Sequence, residues 1–157
     1  MESDVPAKCT VLIIGGGPAG SSAAILLARQ GIDTVLLEKS QFPRNQVGES
    51  LIPHFWKFAD LLGVADQIQQ EGFVVKSGGI FAWDGKIRQV KFSEYGYTRP
   101  GLHVERDRFD DIFLSQARTV GAKVFTQVVV KNIDFSDPNA PKVHYTDKRG
   151  EANLEGI

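Results

Sequence analysis

The residues with the clearest chemistry in this chain are Gly15-Gly16-Gly17-Pro18-Ala19-Gly20, a G-x-G-x-x-G run. In such a run the first glycine makes a tight turn, the second admits a pyrophosphate against the backbone, and the third lets a helix pack closely on a strand. Backbone N–H groups at the helix N-terminus then face the phosphates. Glu38 follows eighteen residues after Gly20, where a carboxylate can accept both hydroxyls of an adenosine ribose and would repel a 2′-phosphate. NADP is thereby disfavoured. The motif by itself leaves FAD and NAD as alternatives.

These residues need a strand, a turn, a helix and a second strand to position them. Thr10 to Ile14 is a β-branched apolar run that suits a strand covered on both faces in a parallel sheet. Pro18 belongs to a first helical turn, Ser21 to Gln30 is rich in Ala and Leu, and Gly31 is placed as a C-terminal cap. Thr34 to Leu37 repeats the buried-strand pattern and ends on Glu38. The order is that of a βαβ unit, which needs about 30 residues.

Further along, Ser40 to Ser50 reads as a long irregular loop of functional character, and Ile52 to Leu62 as a helix stopped by Gly63. Phe73 to Phe92 predicts antiparallel strands with a hairpin turn at Asp84-Gly85. Glu105 to Val120 returns to helical spacing and stops at Gly121, and Lys123 to Val130 reads as one strand. Asp137-Pro138-Asn139 signals a turn, and Lys142 to Thr146 a weakly patterned strand. With no closing cap or terminal helix, the chain is expected to be the N-terminal portion of a larger fold. The fold class expected is α/β: a Rossmann-like βαβ fold with an additional antiparallel β portion, residues 1–157 forming one truncated domain.

A net charge of −1 over 157 residues offers no basic field for nucleic acid or an anionic membrane surface. The apolar run at Val11–Ile14 is far too short for a signal or a membrane span. Cys9, the only cysteine, reads as a buried strand-edge residue, and the cytoplasm is the expected compartment. His54, His103 and His144 are too scattered for a metal site, and Trp56 and Trp83 read as packing residues of a helix and a strand.

Two further segments resolve the cofactor. Phe42-Pro43-Arg44-Asn45-Gln46-Val47-Gly48-Glu49-Ser50-Leu51 and Arg106-Asp107-Arg108-Phe109-Asp110 together resemble the pattern of FAD-dependent aromatic hydroxylases and halogenases. The Phe-Pro-Arg and Gly-Glu-Ser-Leu strings, with the opening Cys9 to Ser21, resemble more narrowly the flavin-dependent halogenases acting on phenolic and polyketide-like aromatics. The resemblance implies FAD as cofactor, with Gly16, Ala19 and Glu49 touching it, Arg44 and Ser50 nearby, and Arg106 on the cofactor side. It also singles out Lys76, in a K-x-G context beyond the Gly-Glu-Ser loop, as the matching position for the active-site lysine.

That family uses FADH2 from a separate flavin reductase, oxygen and chloride or bromide to halogenate an electron-rich aromatic, free or carrier-bound. Its lysine holds and polarises hypohalous acid or forms a haloamine, and either role favours a partly desolvated Lys76. The family's W-x-W-x-I-P segment and its later chloride and flavin loop have no counterpart here, so halogenation by this segment alone is not expected. Two rival readings share the βαβ motif: an FAD monooxygenase or reductase in which Lys76 is incidental, and a non-catalytic flavin-binding module.

Overall fold

A computed structural model describes residues 4–137 and 140–156. In chain order the elements are β1 (Lys8–Cys9), β2 (Val11–Ile14), α1 (Pro18–Arg29) and β3 (Thr34–Glu38), followed by β4 (Ser50–Leu51), α2 (Phe55–Leu62) and α3 (Ala65–Gln70). Then come β5 (Val74–Lys76), β6 (Gly78–Trp83), β7 (Lys86–Lys91), β8 (Gly101–His103), α4 (Arg106–Thr119), β9 (Lys123–Thr126), β10 (Val129–Asp134), β11 (Lys142–Asp147) and β12 (Gly150–Gly156). The chain divides into two units, residues 1–44 with 113–157, and residues 45–112.

The first unit is built on a parallel sheet of order β2-β3-β9. Every residue of β3 is buried, because it has a neighbour on each edge. β2 is an outer strand of this sheet and is less covered than its sequence predicts: Val11, Leu12 and Ile13 are half-buried and Ile14 is 49% exposed. α1 begins where Pro18 can take the first helical position without losing a needed N–H. It buries Ser21, Ala24 and Ile25, small enough on average for the helix to lie close to its strands. Its C-terminal end closes through the Gly31 N–H, which bonds the Ala28 carbonyl at 2.9 Å.

A second sheet in this unit has order β1-β12-β11-β10, antiparallel except for the β1–β12 pair. Cys9, Val35, Leu37, Val128, Tyr145 and Leu154 form one buried cluster shared by the two sheets; each large aliphatic side chain so buried contributes about 1.5–3 kcal/mol. The stretch Lys123 to Val130, expected as one strand, is two strands in two sheets. Gln127 breaks it with φ of 60°, and the Val128 N–H turns back to the Glu38 carbonyl at 3.0 Å. An alternating apolar pattern is the same on either side of such a break, so the sequence does not reveal it. The expected turn at Asp137-Pro138-Asn139 falls at Pro138 and Asn139 outside the described residues.

The second unit carries a three-stranded antiparallel sheet of order β4-β8-β5 and the hairpin β6-β7. The hairpin turns at Asp84-Gly85 as its sequence predicts, with φ of 50° and 69°. α2 starts at Phe55 rather than Ile52, because Pro53 disfavours helical backbone at the residue before it. Trp56 is 7% exposed, and its Nε1 donates to the Pro100 carbonyl at 2.8 Å. Trp83, expected as a packing residue, is instead 85% exposed. Both faces of a two-stranded hairpin lack cover unless something else packs on them. No helix among the described residues is long and apolar enough to cross a membrane.

Candidate functional site

In the first unit the glycine turn joins β2 to α1, and its geometry separates the roles of its glycines. A Cβ on Gly20 would lie 2.0 Å from the Gly15 carbonyl oxygen, so close approach within the chain explains that glycine. Gly17 is different. Its backbone is extended, with φ of −72° and ψ of −179°, a conformation any residue adopts. A Cβ there would meet only the Arg44 guanidinium, at 3.4 Å. Intrachain packing therefore does not demand glycine at position 17, whereas a ligand lying against the backbone would.

The surrounding charges suit an anionic ligand. α1 has no acidic residue in its first turn and no side-chain cap at Gly17, which leaves its positive end and leading N–H groups for an incoming anion. Arg44 stands beside this end with its side chain only 13% exposed, Nε 3.8 Å from Glu38 Oε1 and the guanidinium 4.9 Å from the Phe42 ring centroid. Glu38 is 4% exposed; Oε2 accepts the Gly16 N–H at 2.6 Å and Oε1 accepts the Ser40 N–H at 2.8 Å. The carboxylate thus fixes the turn it follows, and its remaining lone pairs can still accept hydroxyl donors. Ala19 lies in the first turn of α1.

The second unit gathers the remaining expected residues around β8. The Val104 N–H bonds the Glu49 carbonyl at 2.8 Å, and Ser50 pairs with His103. The Glu49 carboxylate lies 3.6 Å from His103 Nε2. Arg106 holds the same loop from α4: Nη1 donates to the Val47 carbonyl, while Nε and Nη2 bond the two oxygens of Asp110 at 2.7 and 2.9 Å. Asp110 is fully buried. Its hydrogen bond holds the Arg106 guanidinium even more firmly protonated, against the opposing effect of burial.

Lys76, at the end of β5, is half-buried, and its Nζ donates to Ser50 Oγ. The K-x-G lysine and the Gly-Glu-Ser serine, 26 residues apart, therefore meet. Asp110 is the site-supporting residue to which sequence reasoning gave no role; the signal was its position four residues after Arg106, where an acid and a base share a helix face. No cluster of His, Cys, Asp or Glu able to hold a metal ion occurs among the described residues.

A βαβ turn with an uncapped helix end, a neighbouring arginine and a buried strand-end glutamate defines an α/β protein of the dinucleotide-cofactor class. Comparison with known proteins narrows this further, because residues 10–153 match the tryptophan halogenase family. The chain belongs to that family of flavin-dependent halogenases. It is 42% identical over 143 residues to the flavin-dependent halogenase ascD of Acremonium egyptiacum, a match covering 87% of this chain and 25% of that protein. To the tryptophan 2-halogenase of Chondromyces crocatus it is 40% identical over 133 residues, covering 83% of this chain and 25% of that protein. The solved structure of the myxobacterial chondrochloren halogenase CndH, an FAD-dependent halogenase, matches with a TM-score of 0.87 and 32% identity over 96% of this chain and 36% of that one. The chain thus spans about a quarter of the length of these curated relatives.

Proposed function

We propose that residues 1–157 are the FAD-binding portion of a flavin-dependent halogenase that acts in the cytoplasm on an electron-rich aromatic, free or carrier-bound. Reduced FAD, delivered by a separate reductase, supplies with oxygen the two-electron oxidation that makes chloride or bromide electrophilic. The chain's own residues bind and orient. The leading N–H groups of α1, from Gly17 through Ala19 and Gly20, take the pyrophosphate with Arg44 as counter-charge, and Glu38 takes the ribose hydroxyls. Glu49 lies on the cofactor side of a loop that Arg106 and Asp110 keep in place.

Lys76 is the catalytic residue of this reading. Its ammonium donates a hydrogen bond to the oxygen of hypohalous acid, drawing electron density from the halogen; the aromatic carbon bonds the halogen as the oxygen–halogen bond breaks, and the departing oxygen leaves as water with the proton that the ring carbon gives up. The single observation that carries the assignment is the Lys76 Nζ donor bond to Ser50, which joins the two halogenase motifs at one point.

Product analysis tests the reaction. With reductase, oxygen and either chloride or bromide supplied, the full-length protein should give products whose mass shifts follow the halide added. Hydroxylated product independent of halide would instead assign a monooxygenase.

A further inference from the structure

β8 is the middle strand of the β4-β8-β5 sheet, and its register determines what meets on that sheet. Ser50 and Val74 both pair with His103, and Lys76 pairs with Gly101, two residues before His103. Because side chains alternate faces along a strand, Ser50, His103 and Lys76 share one face. β4 can lie this close only because position 101 has no side chain: a Cβ on Gly101 would stand 2.5 Å from the Leu51 carbonyl oxygen and 2.9 Å from the Phe92 ring. Trp56 fixes the preceding residue through its bond to the Pro100 carbonyl.

The partner that this arrangement gives Lys76 is neutral. The one carboxylate of the Ser40–Ser50 loop, Glu49, lies against His103, and no carboxylate among the described residues pairs with Lys76. An aspartate at position 50 would hold the amine equally well but would neutralise it. A hydroxyl holds it and leaves the charge in place.

From this we infer that Ser50 is the positioning residue of Lys76. Its hydroxyl accepts one N–H of the ammonium, selects among the many rotamers of the lysine stem, and leaves the two remaining N–H groups to donate to the oxygen of hypohalous acid. This rests on the halogenase reading above and departs from the expected flavin-side role of Ser50.

The test uses Ser50→Ala and Ser50→Thr in the full-length protein, with three readouts: FAD affinity by fluorescence titration, halogenated product per FADH2 oxidised, and the rate of reductive methylation of Lys76 in cofactor-free protein, read by mass spectrometry. Ser50→Ala should cut product per flavin oxidised at least tenfold and methylate Lys76 at least threefold faster, with FAD affinity within twofold of wild type. Ser50→Thr, which keeps the hydroxyl, should restore both the product ratio and the methylation rate to within threefold. A tenfold loss of FAD affinity with unaltered Lys76 reactivity would overturn the inference in favour of a flavin contact. Wild-type product ratio and methylation rate in Ser50→Ala would overturn it outright. Should the wild-type protein not halogenate at all, the functional reading fails, and the methylation rate still decides for or against the Ser50–Lys76 pair.

Discussion

Gly17 and Gly20, three residues apart in the same motif, should fail in different ways when substituted. Gly20→Val drives a side chain into the Gly15 carbonyl, 2.0 Å from the built Cβ, and relieving that contact means moving backbone. We expect a loss of about 3 kcal/mol of folding stability. Gly17→Val meets only the movable end of Arg44, so stability should stay within about 1 kcal/mol of wild type while FAD binding is lost. Denaturant titration alongside flavin titration separates the two; equal destabilisation would remove the case for Gly17 as a ligand contact. Cys9 is fully buried, and burial first, then the Asp33 carboxylate, push its thiol up from the ordinary range. A thiol-specific reagent should label native protein far more slowly than denatured protein. Because the folded state holds this proton more tightly, its stabilising effect is complete below the unfolded thiol's pKa of about 8.5 and declines as pH rises beyond it.

At the scale of elements, the loop before β4 keeps its shape through one helix. Arg106 spans from α4 to the Val47 carbonyl while Asp110, at 0% exposure, orients its guanidinium. Arg106→Ala withdraws the guanidinium from a buried carboxylate and should cost on the order of 3 kcal/mol, seen as a lower urea midpoint. Arg106→Lys should recover only part of it, since an ammonium cannot reproduce the two-point contact with Asp110. Much of this architecture was legible beforehand. Gly15 to Gly20, Pro18 and Glu38 specify the βαβ unit through local rules of turns, caps and strand ends, and Asp84-Gly85 specifies its hairpin. The sequence was mute where long-range pairing decides. The break at Gln127 depends on Val128 finding the Glu38 carbonyl. α3 and β12 carry too short or too polar a pattern to stand out. The meeting of Ser50 with Lys76 depends on the register of both outer strands against β8. Trp83 is exposed against expectation because an aromatic in an apolar strand looks the same in sequence whether or not anything covers it.

At the scale of the whole molecule, family membership rests on a match over residues 10–153, while the matched residues cover only 25% of each of two curated relatives. The hairpin β6-β7 also presents Ile80, Trp83 and Ile87 at 73%, 85% and 77% exposure, more apolar surface than a solvent-facing hairpin needs. Turnover is therefore a property to be measured on the full-length protein, where the proposed role of Lys76 is to serve halogenation and not the flavin. The direct measurement is Lys76→Ala, assayed for halogenated product and for peroxide release with reduced FAD, oxygen and bromide supplied. Loss of a charged hydrogen bond worth about 4 kcal/mol at the reacting halogen slows that step roughly a thousandfold. Halogenated product should fall by that factor while FAD stays bound and peroxide is still released; halogenation at the wild-type rate in Lys76→Ala would contradict a catalytic role for Lys76.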